Sequence, residues 1–149
     1  MDVEVRPAQP RDAEQISSLM LQLGYVVPAA DIAARLQRLT SRREVFVALT
    51  GNAIAGCVSV SLDETLVDGH VASIESFSVD EMARSQGIGA KLLAAIEVWA
   101  QEHDCDEMNV RSNVVRERAH TFYLRNGYER VKAQALFRKQ MGETQALPR

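Results

Sequence analysis

Val79 to Leu93 reads VDEMARSQGIGAKLL, and this stretch decides the fold. An apolar β-rich run ends at Val79, a short loop carries Arg84, and Gly87 and Gly89 open a long amphipathic segment. The first amides of a helix have no intrahelical partner, and the helix dipole places partial positive charge beside them. Glycines there remove the Cβ atoms that would keep an anion away from those amides, and Arg84 adds a forked cationic donor. The pattern is therefore that of a phosphate site at a strand–loop–helix junction. It is not a dinucleotide fingerprint: Leu92 stands where the third glycine belongs, and seven residues separate Val79 from Gly87. It is not a Walker loop either, since no Gly-Lys-Ser/Thr occurs.

Outward from this junction the chain alternates strands and helices. The helix from Gly87 to His103 buries Ile88, Leu92, Ala95, Ile96 and Trp99 on one stripe. Upstream, Val71 to Val79 is a strand, preceded by an acidic, turn-prone loop from Asp63 to Gly69. Glu44 to Leu49 and Ala53 to Leu62 pair through a Thr50-Gly51-Asn52 hairpin. Val3, Val5 and Pro7 mark a first strand. Asp12 and Gln15 have the capping-box form for a first helix that stops at Gly24. A second helix runs from about Pro28 to Leu39. Downstream, Met108 and Val110 begin a strand that ends near Ser112, and a helix spans about Val115 to Asn126. Tyr128 to Lys132 and Ala135 to Met141 read as a closing hairpin. The order is βααβββαβαββ, an α/β chain of α+β type whose mixed, mostly antiparallel sheet is flanked by about four helices. One domain is expected over residues 1–142, with 143–149 a loose tail.

Composition narrows the function. At 149 residues the chain is one ordinary domain, and 46 % hydrophobic with 25 % charged residues excludes a disordered polymer. Lys plus Arg number 17 against 20 Asp plus Glu, so no basic excess points to nucleic acid. No apolar run reaches the roughly 20 residues of a membrane span, and no signal peptide is expected from the N-terminal residues. A cytoplasmic protein without nucleic-acid or membrane partners is expected. Cys57 and Cys105 are isolated and read as buried thiols. His70, His103 and His120 lack ligand spacing, so no metal is expected.

Arg84-Ser85-Gln86-Gly87-Ile88-Gly89 resembles the Arg/Gln-x-x-Gly-x-Gly/Ala pyrophosphate loop of the GCN5-related N-acetyltransferase (GNAT) superfamily. Ala119 to Tyr128, AHTFYLRNGY, resembles the A-x-x-F/L-Y-x-x-x-G-F/Y signature of the same superfamily. The resemblance covers most of the chain, in the same order of elements. It implies an N-acetyltransferase, an acyltransferase with acetyl-CoA as co-substrate, bound where two parallel strands splay apart. Phe77, Ser78 and Val79 would meet the pantetheine through main-chain groups. The amides from Arg84 through Ser85, Gln86, Gly87, Ile88 and Gly89 to Ala90 would carry the pyrophosphate. Two loop positions depart from the family pattern: Glu81 stands where Pro is frequent, and Ser85 where Gly is. An Asn frequent before the last helix is replaced by Arg116, with Asn113 three residues earlier; either is a candidate for the pantetheine or nucleotide end.

Transfer of acetyl to an amine needs a base for the amine, a donor for the carbonyl oxygen and an acid for the leaving thiolate. By resemblance the oxygen is met by a strand amide near Phe77 or Val79. Tyr123, on the signature tyrosine, is the candidate acid. An ordinary phenol of pKa about 10 can protonate a thiolate of about 8.5 with modest tuning. By resemblance Glu75 is the candidate base, two residues before Phe77, where several family members carry a Glu that deprotonates the amine directly or through water. A carboxylate in an apolar strand is costly unless partnered, and Glu75 faces either the substrate cleft or the helical layer. His120 is the alternative base. By resemblance the acceptor lies between the first two helices and the strand loops, near Leu23 to Pro28 and Tyr25. The acids Asp63, Glu64 and Asp68 would steer a cationic acceptor. A small-molecule primary amine is expected, with a protein N-terminus or lysine the alternative. A non-catalytic acyl-CoA-binding module would keep Arg84, Gly87 and Gly89 without needing Tyr123 or Glu75. A homodimer through the closing strands follows from their uncovered edge.

Overall fold

The computed structural model describes residues 2–112 and 116–142. The chain divides into two compact units, Met1–Arg111 and Ser112–Arg149.

The first unit holds a five-stranded sheet in the order β1 (Val3–Pro7), β2 (Arg43–Thr50), β3 (Ala53–Thr65), β4 (Gly69–Val79) and β5 (Met108–Val110). The first three pairings are antiparallel and β4–β5 is parallel, as the sequence predicts for a mixed, mostly antiparallel sheet. Gly51, at φ 63, turns β2 into β3 so that Thr50 faces Ala53. The β3–β4 ladder extends further than expected. Asp63 and Glu64 lie within it, opposite Val71 and His70, so only residues 66–68 remain as the turn. The acids are held there by local partners: Ser73 donates to Asp63 at 2.6 Å, and His70 lies 3.3 Å from Glu64.

Alternation along β3 sends neighbouring residues to opposite faces. Cys57 joins α1 (Ala13–Gln22) and α2 (Ala29–Gln37) in a core with Ile16, Leu19, Ile32 and Val47. Gly56 faces α3 (Ile88–Glu102), where a Cβ would stand 2.8 Å from a Leu92 methyl and 3.0 Å from Ile88. Only a residue without a side chain lets α3 lie this close to the sheet. Gly56 is opposite Val79, so this contact sets the start of α3 beside the end of β4. Cys57 and Cys105 are buried free thiols, and burial pushes Cys57 up to about 12; it is an inert core residue.

The capping box expected of Asp12 and Gln15 is not the arrangement found. Asp12 closes on Arg6 with two hydrogen bonds of 2.8 and 3.0 Å and accepts the Gln9 amide at 2.7 Å. Gln15 instead accepts the Ile54 amide at 2.8 Å. A buried carboxylate gains more from a forked guanidinium than from a helix amide. The Arg6 hydrogen bond holds the Asp12 carboxyl below its ordinary 3.8, with the Gln9 amide and the guanidinium's charge adding to it against desolvation. A depressed folded pKa contributes stability that is present above the unfolded value and lost as pH falls through the folded one. Urea midpoints should therefore drop as pH is lowered below about 4. The gap between wild type and Asp12→Asn should close over the same range; a constant gap down to pH 2 would remove Asp12 from the acid response.

In the second unit, α4 (Glu117–Arg125) ends at Gly127, which takes φ 92. Residues 128–142 form no strand, contrary to the expected closing hairpin, and Val131, Leu136, Phe137 and Met141 are all exposed. Apolar alternation makes a strand only where a ladder partner and a covering layer are supplied, and a lone hairpin is marginal in water. The tail at 143–149 lies outside the described residues.

Candidate active site

The site begins where the two parallel strands part. Their pairing runs through Ala72↔Met108, Ser73↔Asn109 and Ile74↔Val110 and then stops, while β4 continues from Glu75 to Val79. The departure coincides with an irregularity in the β3–β4 register. Ser59 faces Ser76 and Val60 faces Ile74, which leaves Glu75 as the extra residue of a bulge. Bulges bend a strand and re-aim a side chain. Beyond it Phe77 and Val79 are half-buried, opposite Val58 and Gly56, and the buried Ser78 hydroxyl donates to the Leu19 carbonyl at 3.2 Å. Ser78 thus ties β4 to α1 through its side chain.

β4 feeds directly into the glycine-rich turn. Asp80 accepts the Met82 amide at 2.9 Å, one short 3-10 turn covers Glu81–Ala83, and Arg84 returns to extended backbone. Ser85 and Gly87 then take left-handed conformations, φ 70 and φ 78. The family's frequent glycine at position 85 is explained by this geometry, which a serine adopts at a cost. Gly87 is the N-cap of α3, and no acidic side chain occupies the helix's first turn. A Cβ on Gly87 would meet nothing within 4 Å, so the loop is open on that side. Ser85, Gln86, Gly87 and Ala90 are exposed, Arg84 and Gly89 half-buried, and Ile88 is anchored in the core. A loop fastened by Ile88 and bare above Gly87, at an uncompensated helix start, fits a pyrophosphate.

On the α1–α2 side of the sheet, a cleft of ≈ 240 Å³ is lined by Arg35, Arg43, Glu44, Ser59, Glu75 and Ser76, over an apolar floor that includes Ile16 and Cys57. Glu75 therefore lines a cleft on the side of the sheet that α1 and α2 cover. It accepts from Arg43 at 3.0 Å, and its side chain keeps 34 % of its exposure, so an incoming amine can reach it. Ser59 and Ser76 share a 2.7 Å hydrogen bond alongside. Sequence reading missed Arg43, Arg35 and Ser59. The available signal was Glu75 itself, a charged residue in an apolar strand; its partner Arg43 is 32 residues away on β2, beyond any local window. The steering acids Asp63, Glu64 and Asp68 are not among the residues lining this cleft.

In the second unit, Arg116 is the N-cap residue of α4, and its carbonyl accepts the His120 amide at 3.2 Å. Asn113 lies outside the described residues. Tyr123 sits in a small aromatic group, its ring centroid 5.5 Å from Phe122 and 5.8 Å from Tyr128. Its carbonyl accepts the Tyr128 amide at 3.0 Å, which closes the helix end around Gly127. Burial pushes the Tyr123 phenol up to about 12, so it holds its proton throughout the physiological range.

Residues 14–128 match the model of the acetyltransferase (GNAT) family. The chain belongs to that family. Among curated relatives, the aminoglycoside N(6')-acetyltransferase type 1 of Stenotrophomonas maltophilia is 28 % identical over 141 residues, covering 90 % of this chain and 91 % of that one. The aminoalkylphosphonate N-acetyltransferase of Salmonella typhimurium is 28 % identical over 132 residues, covering 85 % and 84 %. The fold is shared with the solved structure of AAC(6')-Iy in complex with the bisubstrate analog CoA-S-monomethyl-acetylneamine. The TM-score there is 0.83 at 20 % identity, over 94 % of this chain and 99 % of that one. This GNAT protein is an N-acetyltransferase, as the glycine-rich turn and the F-Y signature imply. No helix among the described residues is long and apolar enough to cross a membrane, and no group of three or more His, Cys, Asp or Glu that could hold a metal lies among them.

Proposed function

We propose that this GNAT protein moves acetyl from acetyl-CoA directly to the primary amine of a small cytoplasmic molecule, with residues 1–142 acting as one catalytic domain. The observation that carries this reading is Glu75. It is the bulge residue at the point where β4 leaves β5, and it opens on a cleft. A base belongs at such a place, next to strand amides able to meet a thioester.

An acceptor ammonium gives one proton to Glu75, directly or through water, and the free amine attacks the thioester carbonyl carbon. The C–N bond forms, the C–S bond breaks, and the nitrogen's second proton leaves with the sulfur through Tyr123. A main-chain amide of Phe77 or Val79 faces the carbonyl oxygen, and Ser78 fastens the strand that presents it. Arg84, Ser85, Gln86, Gly87, Ile88, Gly89 and Ala90 bind the pyrophosphate, and Asn113 or Arg116 the pantetheine or nucleotide end. A phenol held at about 12 is a weaker acid than the thiol it protonates. Tyr123 therefore acts as a hydrogen-bond donor to the departing sulfur, and its proton is delivered and restored as the second amine proton is released.

The exposed apolar residues Val131, Leu136, Phe137 and Met141 support a homodimer through the segment expected to close the sheet. Thiol release from acetyl-CoA in the presence of primary amines tests the enzyme. In Glu75→Gln, kcat/KM should fall by about 10²-fold, the low end of general-base contributions. A kcat/KM equal to wild type in the variant would reject Glu75 as the base.

A further inference from the structure

The cleft beside Glu75 is electrically balanced. Two guanidiniums, Arg35 and Arg43, face two carboxylates, Glu44 and Glu75, in ≈ 240 Å³. Arg43 and Glu75 already pair at 3.0 Å, and Glu44 accepts the Val45 amide at 3.1 Å. Arg35, in the last turn of α2, makes no side-chain hydrogen bond or ion pair among the described residues. When an acceptor ammonium engages Glu75 it displaces Arg43, whose guanidinium is then free to meet another anion. A polycationic acceptor would bring further positive charge beside both arginines, a like-charge juxtaposition that costs affinity. The acids that would welcome a polycation are elsewhere, at the β3–β4 hairpin, where Asp63 and Glu64 are engaged by Ser73 and His70. Size agrees, for ≈ 240 Å³ is below the roughly 300–1,000 Å³ of pockets that enclose drug-sized ligands.

Resting on the acetyl-transfer reading above, we infer that the acceptor is a small amine carrying its own acid group, a carboxylate or a phosphonate. Its ammonium replaces Arg43 at Glu75, and its acid group is taken by Arg43 and Arg35. Guanidiniums suit this task, since their planar fork meets either anion with two hydrogen bonds. The Arg43–Glu75 pair is then a stand-in for the substrate, opened and re-formed at each turnover. Arg35 is the specificity-determining residue.

Acetyl transfer should be compared across 3-aminopropanoate, 2-aminoethylphosphonate, propylamine and kanamycin, in wild type, Arg35→Gln and Arg35→Lys. At least one acidic amine should exceed propylamine tenfold or more in kcat/KM, and which of the two leads separates carboxylate from phosphonate. In Arg35→Gln that ratio should fall at least tenfold, through KM rather than kcat, and Arg35→Lys should recover part of it. Propylamine or kanamycin matching the acidic amines would overturn this inference and leave acetyl transfer standing. An acidic preference untouched in Arg35→Gln would overturn the role of Arg35. Turnover with none of the four amines would overturn both this inference and the small-amine reading.

Discussion

Replacing Tyr123 by phenylalanine is expected to lower kcat well over tenfold, toward the roughly 10²–10⁴-fold that a positioned acid or base contributes. The KM for acetyl-CoA should change by no more than about twofold, because the hydroxyl meets the sulfur only as charge develops there. The ring contacts with Phe122 and Tyr128 survive the substitution, so α4 should keep its C-terminal turn. The pH profile supplies a second readout. With the phenol pushed up to about 12, Tyr123 does not titrate between pH 6 and about 9. The variant's profile should therefore be lowered without changing shape across that range. Near wild-type turnover would remove Tyr123 from the reaction, and a shifted alkaline limb would contradict its buried environment.

Gly87→Trp should weaken acetyl-CoA binding by about a hundredfold or more, read by calorimetric titration. Two costs act together. The tryptophan is forced into the left-handed conformation at φ 78, which costs about 1–2 kcal/mol outside glycine. Its ring also covers amides whose charge-assisted hydrogen bonds contribute about 1.5–3 kcal/mol each. Gly87→Asn separates the two effects, since asparagine tolerates left-handed backbone and leaves the amides open. It should bind far better than the tryptophan variant. Wild-type binding in Gly87→Trp would move the pyrophosphate away from this turn. Loss of binding to the same degree in Gly87→Asn would assign the effect to backbone rather than to access.

Much of the fold was legible because its signals are local. Gly51 between two β-rich runs needs only its own turn chemistry to be read, and the stripe from Ile88 to Trp99 only helical periodicity. The β3–β4 hairpin was misread because acids over residues 63–69 resemble a solvated loop. Their ladder depends on Ser73 and His70 across the strand, a pairing that no window of sequence contains. Asp12 was misassigned for the same reason: its cap-like spacing was real, but Arg6 on β1 offered a stronger partner. The closing hairpin erred in the other direction. Its alternation was local, whereas a strand also requires a neighbour, and residues 128–142 form no ladder among the described residues.

The sequence by itself determined the family of this protein, because a phosphate turn and an aromatic helix signature are short motifs whose chemistry is carried by adjacent residues. It also marked Glu75, a charged residue in an otherwise apolar strand. Only the tertiary structure decided what Glu75 faces. The bulge that makes it the extra residue of β4, the halt of β5 at Val110 and the arrival of Arg43 and Arg35 from two other elements are long-range facts. Charges converge on a cleft only when strands and helices distant in sequence are packed together. Which charges meet at the cleft is therefore decided by the packing rather than by any motif.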